Sequence, residues 1–233
     1  MENINFQENI KALSKISKAI ASDLYLEDIL RLIVSVTAEV MGSNICSLIL
    51  VDEAKQELVI RATQSISEEY NKKKPLKIGE GIAGKAIEQN RPIVVKDVTK
   101  EAEYKHKDIA KKEGLKSLLC VPLVVKNKVI GAINCYTNKA HNFSDTEINI
   151  LTSIASQAAV AIENTELLVK TKIIREELEA RKKVERAKGI LMKEEGMAED
   201  QAYLKLQKYS MDMRKSMREV AEAIILAHEF KKQ

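Results

Sequence analysis

Proline and glycine are scarce in this chain, 3 and 8 among 233 residues. That excludes a low-complexity or collagen-like polymer and leaves long stretches free to be helical. Cysteine is just as sparse. Cys46, Cys120 and Cys135 sit singly inside strand-like apolar runs, so a disulfide framework is not expected, and reduced, buried thiols of a cytoplasmic protein are. Three histidines, His106, His141 and His228, are widely separated, and none has metal-ligand spacing with a cysteine. No metal or cofactor is implied. Long apolar runs are missing too: IVSVTAEVM near Ile33 is too short and interrupted to cross a bilayer, and the opening MENINFQENIKALSKI does not resemble a secretory leader.

Hydrophobic residues make up 45% and charged residues 31%, enough to bury a core under a well-solvated surface. The net charge of +4 is modest, so any case for a polyanionic partner rests on local clustering. Clustering is present. In RKKVERAKGILM and the lysine after it, Arg181, Lys182, Lys183, Arg186, Lys188 and Lys193 face one acid, Glu185. Lys205, Lys208, Arg214, Lys215 and Arg218 follow with only Asp212 among them. Both runs lie on segments with helical apolar spacing. Clustered Lys and Arg on a small helical unit attract phosphate through direct contact and counterion release, which makes nucleic acid the leading partner.

Periodicity gives an α+β chain. Helices are predicted over Ile10–Ala21, Glu27–Met41, Ile82–Glu88 and Glu101–Glu113. Strands are predicted over Ile45–Val51, Glu57–Ala62, Ile93–Val95, Ser117–Val125 and Lys128–Tyr136. Lys126-Asn127 is a natural tight hairpin, and Pro122 predicts a bulge or an edge. Ser144 and Glu147 form a capping box that opens a helix running to about Glu195. Along it Val160, Asn164, Leu167, Thr171, Ile174 and Leu178 step by four and three. This seam is either a solvated connector or a parallel coiled coil pairing two chains. Helices Asp200–Met213 and Met217–Phe230 follow, the second opened by the box Ser216/Glu219. With Val184, Ala187, Ile190 and Leu191 they make a three-helix unit, in which Met192, Met211 and Met213 read as core filler.

Residues 175–233, with AKGILM at Ala187–Met192, Gly196, Ala202-Tyr203, Leu206, Ser210-Met211 and Val220-Ala221, resemble the ANTAR domain, an RNA-binding antitermination module of bacterial regulators. Gln207 stands where the family often has Arg, and Ala198 where it has a small cap such as Ser. The front, residues 1–165, resembles a GAF domain, a small-ligand sensor with an antiparallel sheet flanked by helices. Its marks are GEGIAGKAIEQNRPIVVKDV from Gly79, SLLCVPLVVKNKVIGAINCYTNK from Ser117, and the Phe143-Ser144 opening of the closing helix. Residues 153–186 then form the connecting helix.

The resemblance implies a signal-responsive regulator that binds stem-loops in nascent leader RNA as a homodimer and prevents terminator formation. The expected RNA contacts are Lys188, Arg214, Lys215 and Arg218, with Lys208 and Ser210 beside them; each lysine or arginine also reads as an ordinary solvated charge. Tyr203 is either partly core or a platform for an unpaired loop base. The residues that hold a ligand in the front domain are not legible. Two other readings stand: a DNA-binding regulator with the last helix in the major groove, and a protein-interaction sensor. No catalysis is expected, because no nucleophile lies in a recognised motif and the cysteines read as inert core thiols.

Overall fold

A computed structural model describes residues 26–65, 67–71 and 74–231, together with Ser14. Apart from Ser14, the helix expected over Ile10–Ala21 lies outside the described residues. The chain divides after Glu166 into two compact units.

The front unit is built on one sheet. In chain order its elements are α1 (Leu26–Met41), β1 (Ile45–Asp52), β2 (Glu57–Thr63), α2 (Glu68–Asn71), β3 (Leu76–Lys77), α3 (Gly81–Gln89), β4 (Ile93–Val95), α4 (Lys107–Lys112), β5 (Ser117–Val125) and β6 (Lys128–Thr137). The six strands lie in the order β3-β2-β1-β6-β5-β4, and every neighbouring pair is antiparallel. Alternation gives this sheet two apolar faces. Cys46, Leu48, Leu119, Val121, Ile133 and Cys135 join the core formed with α1 and with Leu151–Ile162 of the long helix α5 (Asp145–Glu195). Ile45, Ile49, Leu118, Cys120, Ala132 and Tyr136 share the opposite core with residues of α2, α3 and α4.

Local chemistry sets the turns. Lys126 and Asn127 both take positive φ, +48° and +63°, the left-handed pair a two-residue hairpin requires. Pro122 is buried opposite Ala132, past Cys120, the last β5 residue paired with β4, so its missing N–H breaks no ladder there. A register shift follows between Leu123 and Val124. Gly131 lies where a Cβ would fall 2.1 Å from the Ile49 carbonyl, so only glycine lets β6 close on β1. The helix expected over Glu101–Glu113 is shorter, Lys107–Lys112. Asp97 captures the chain before it: its Oδ1 accepts from the Thr99 N–H and hydroxyl, and its carbonyl accepts from the Lys100 and Glu101 N–H groups. Such local bonds compete with helix.

The tail unit contains the end of α5, then α6 (Glu199–Met213) and α7 (Met217–Phe230). Ala187, Ile190 and Leu191 of α5, Ala202 and Leu206 of α6, and Val220, Ala221 and Ile225 of α7 form its core. Both capping boxes are made: Ser144 N–H donates to Glu147 Oε2 at 2.7 Å and Ser216 N–H to Glu219 Oε2 at 2.8 Å, with the return bonds at 3.3 and 3.2 Å. The α6 start has half of this arrangement. Ala198 offers no acceptor, and only the Gln201 side chain bonds back, at 3.2 Å.

Candidate nucleic-acid interface and ligand cavity

The geometry of α6 decides which cations of the tail are available. Ala202, Leu206 and Tyr209 take its inward side. At 100° per residue, Tyr203, Leu204, Gln207, Lys208 and Met211 fall on the outward side, and all five are exposed, as is Arg214 just past the helix end. Tyr203 is 46% exposed, so its ring is a surface feature. Neither Lys208 nor Arg214 has an ion-pair partner among the described residues. Arg214 caps α6 with φ +52°, a left-handed conformation that ends the helix and lets its N–H reach back to the Met211 carbonyl.

The other expected contacts are held differently. Lys188 is 7% exposed, and its Nζ lies 2.9 Å from Glu185 and 2.7 Å from Glu199. The two carboxylates, Glu199 first, raise the pKa of its ammonium. Lys188 therefore stands inside the unit, not on its basic surface as expected. Lys215 pairs with Glu219 at 2.9 Å and Arg218 with Glu222 at 3.0 Å, both one helical turn away. Ser210 donates its hydroxyl to the Lys215 carbonyl at 2.5 Å, fastening the α6–α7 turn. In the first basic cluster, Lys183 is paired with Glu222 and Arg186 with Glu229.

Met192, Met211 and Met213, expected in the core, are exposed at 36, 66 and 64%. Ala202, Leu206 and Tyr209 already fill the inward stripe of α6, leaving no inward position for Met211. Leu204 and Met211 add apolar surface beside Lys208 and Arg214. The signal for both was present in the sequence, since they fall off that stripe.

In the front unit a cavity of about 110 Å³ lies on the α2/α3 side of the sheet. Its wall includes Ile49, Leu58, Leu76, Ile82 and Leu118, with Tyr70, Tyr104, Tyr136 and Asn134. The tyrosines form one cluster. Tyr70 and Tyr104 each meet Tyr136 edge to face, at 6.3 and 6.4 Å between centroids. Tyr104 Oη donates to Tyr136 Oη at 3.3 Å and Tyr70 Oη to Ser47 Oγ at 3.1 Å. Burial pushes all three phenols above their ordinary pKa, so they stay neutral. Lys74 and Lys105 bring charge to the same wall, beside His106. The sequence carried a missed signal here: alternation along β6 puts Asn134 on one face with Ala132 and Tyr136, a polar residue in an inward register.

The three thiols are fully buried and none lines the cavity. Burial raises Cys46 and Cys120 well above the ordinary thiol range, which disfavours the nucleophilic thiolate. Among the described residues no three His, Cys, Asp or Glu are grouped to hold a metal, and no helix is long and apolar enough to cross a membrane.

Comparison with known proteins finds two domain families along the chain. The GAF domain model matches residues 24–163 and the ANTAR domain model residues 173–225. A phosphoenolpyruvate-dependent phosphotransferase system protein of Escherichia coli is 23% identical over 155 residues, covering 66% of this chain and 21% of its own. The chain thus spans about a fifth of that relative. The transcriptional regulatory protein PdtaR of Mycobacterium tuberculosis is 48% identical over 50 residues, 22% of this chain and 24% of its own. Among solved structures, the GAF domain of a phosphoenolpyruvate-protein phosphotransferase from Coxiella burnetii superposes with a TM-score of 0.64 at 25% identity, covering 72% of this chain and 99% of that one. The chain belongs to the GAF domain family, and its GAF domain is followed by an ANTAR domain.

Proposed function

We propose that this chain is a signal-responsive, RNA-binding transcription antitermination regulator. Its tail holds stem-loops in nascent leader RNA and keeps an overlapping terminator hairpin from forming, and a small molecule in the front cavity controls when. One observation carries the reading: Lys208, on the outward side of α6 with the half-exposed ring of Tyr203, and Arg214, exposed at the end of that helix, have no carboxylate partners among the described residues. Unpaired cations meet phosphates without first breaking an ion pair. An exposed tyrosine offers an unstacked loop base a platform, an interaction of about 1–3 kcal/mol. The resemblance of the tail to a transcriptional regulatory protein supports the same reading.

In this reading Tyr203, Lys208 and Arg214 touch RNA directly. Lys215 and Arg218 stand at the rim, where a phosphate displaces Glu219 or Glu222. Ser210 shapes the turn and Lys188 holds α5 to α6. No catalytic role is assigned to the sealed thiols. The last helix argues against duplex reading: beyond Arg218 its exposed residues are Glu219, Ala223, Leu226, Ala227, Glu229 and Phe230, acidic and apolar side chains that give phosphates and the acceptor edges of bases no donor.

Two chains act together. Leu167, Ile174 and Leu178 of the predicted seam are 45, 64 and 52% exposed, an apolar stripe suited to a second copy of the same helix. Pairing presents two RNA-binding units, and two stem-loops then gain avidity. The test is a gel shift of the full chain with a two-hairpin leader RNA against duplex DNA of matched length, read beside oligomeric mass. Preferential binding of the RNA by a dimer is expected. Equal affinity for the duplex, or no shift at low ionic strength, overturns the reading.

A further inference from the structure

Asn134 is the one polar side chain of β6 set among apolar and aromatic neighbours on the cavity face. It is 4% exposed, and its Oδ1 has no hydrogen-bond partner among the described residues. A buried carbonyl oxygen left unpaired destabilises the fold, whereas an apolar side chain at the same place would not. Asn134 is one of the residues that line the cavity, so a small turn of its amide brings this oxygen to an N–H or O–H group of a molecule held there.

The rest of the wall narrows the chemistry. Among the described residues no Asp, Glu or Arg lines the cavity, and its ionisable groups besides the neutral tyrosines are Lys74, Lys105 and His106. Lys74 is exposed and has no ion pair among the described residues. The Lys105 side chain is 50% exposed, and its Nζ is 3.9 Å from Glu80, the outer limit of a pair. Charge is thus accepted at the mouth and excluded inside, where an unpaired ion meets no compensating group. An apolar cavity of roughly 150 Å³ accommodates benzene; at 110 Å³ this one has room for at most a single ring, with any substituent left at the mouth. The edge-to-face tyrosines give that ring flat and edge contacts.

We propose that the cavity takes a small aromatic acid carrying one N–H or O–H donor. The donor bonds Asn134 Oδ1, the ring lies among Tyr70, Tyr104 and Tyr136, and the carboxylate stays at the mouth beside Lys74 and Lys105. This rests on the cavity being the input site of the regulator, and it names the class of input.

The test is calorimetric titration of the full chain with 3- and 4-hydroxybenzoate, benzoate and phenol, run beside the hairpin gel shift. One hydroxybenzoate is expected to bind about tenfold or more tighter than benzoate, the loss expected for a hydrogen bond left unmade, and tighter than phenol, which lacks the anion. Asn134→Leu should erase the preference over benzoate while benzoate still binds. Lys74→Ala combined with Lys105→Ala should erase the preference over phenol. Should Asn134→Leu fail to fold, the wild-type ranking decides alone. Equal binding of hydroxybenzoate and benzoate, or no heat from any of the four at millimolar concentration, overturns the assignment. A hairpin shift without ligand heat sinks this inference only; ligand heat without a hairpin shift sinks the RNA reading only.

Discussion

Lys188 Nζ lies 2.7 Å from Glu199 Oε1, so the buried cation of α5 is fixed to the first residue of α6. A carboxylate there also complements the positive end of the α6 dipole. Lys188→Ala removes both the pair and a packed aliphatic stem. We expect a lower melting temperature for the tail and an unchanged salt dependence of RNA binding. Lys188→Met, which keeps the stem, should recover part of the loss. A Lys188→Ala protein with wild-type melting but a flatter salt slope would return this residue to the RNA surface.

Arg214 separates stability from binding. Its φ of +52° is a conformation glycine adopts without strain. Arg214→Gly should stabilise α6 by about 1 kcal/mol while weakening RNA binding. Lys208→Ala should weaken binding with little effect on melting. Each should reduce the slope of log affinity against log salt by about 0.7–0.9, the value of one phosphate contact. Unchanged slopes in both variants would remove the α6 face from the interface.

How far the sequence reached depended on the range of the interactions involved. The hairpin at Lys126-Asn127, the boxes Ser144/Glu147 and Ser216/Glu219, and the inward stripe through Ala202, Leu206, Val220 and Ala221 rest on neighbours within one or two turns, and all are legible. Lys188 is different. Whether a lysine in a basic run meets phosphate or carboxylate depends on Glu199, brought near by the α5–α6 turn. Charge density does not carry that information. The Glu101–Glu113 helix was overestimated because Asp97, upstream of the window, captures the chain. The α6 face was half legible: the wheel places Tyr203 and Met211 outward, but reading methionine as generic core filler hid one of them.

Acid should loosen the last helix. The Ser216 N–H, then Lys215, then the Ser216 hydroxyl hold the Glu219 carboxyl down at about 2, from an ordinary 4.5. The folded state favours the ionised form, so this contribution is complete above about 4.5 and is lost as pH falls toward 2. Glu219→Gln keeps an oxygen for the Ser216 N–H but has no charge to titrate. The stability difference between wild type and Glu219→Gln, measured by urea melts, should shrink across that window. A difference that stays constant would show the box gains nothing from ionisation.

The pairing seam has a direct test. Ile174 is 64% exposed at a predicted core position of the coiled coil. Ile174→Asp would place a charge in that interface and should convert a dimer to a monomer by light scattering, with far-UV ellipticity nearly unchanged. Hairpin RNA affinity should fall with it, since the second binding unit is lost. A wild-type chain that is monomeric at high micromolar concentration rules out the seam.

Gly131→Ala should damage the front unit alone. Its Cβ would meet the Ile49 carbonyl at 2.1 Å, and backbone cannot yield as a side-chain end does. Overpacking of this kind costs about 1–3 kcal/mol. The variant should lower the front-unit transition in calorimetry.

The seclusion of the three sulfhydryls gives the front domain a built-in reporter. Cys46, Cys120 and Cys135 have no solvent contact, and two of them lie 3.8 Å apart on directly opposed residues of β1 and β6. An alkylating reagent reaches them only when the sheet opens, so the labelling rate measures how often that happens. A molecule that settles in the cavity must slow it, which turns mass spectrometry of the alkylated chain into a search for the natural signal.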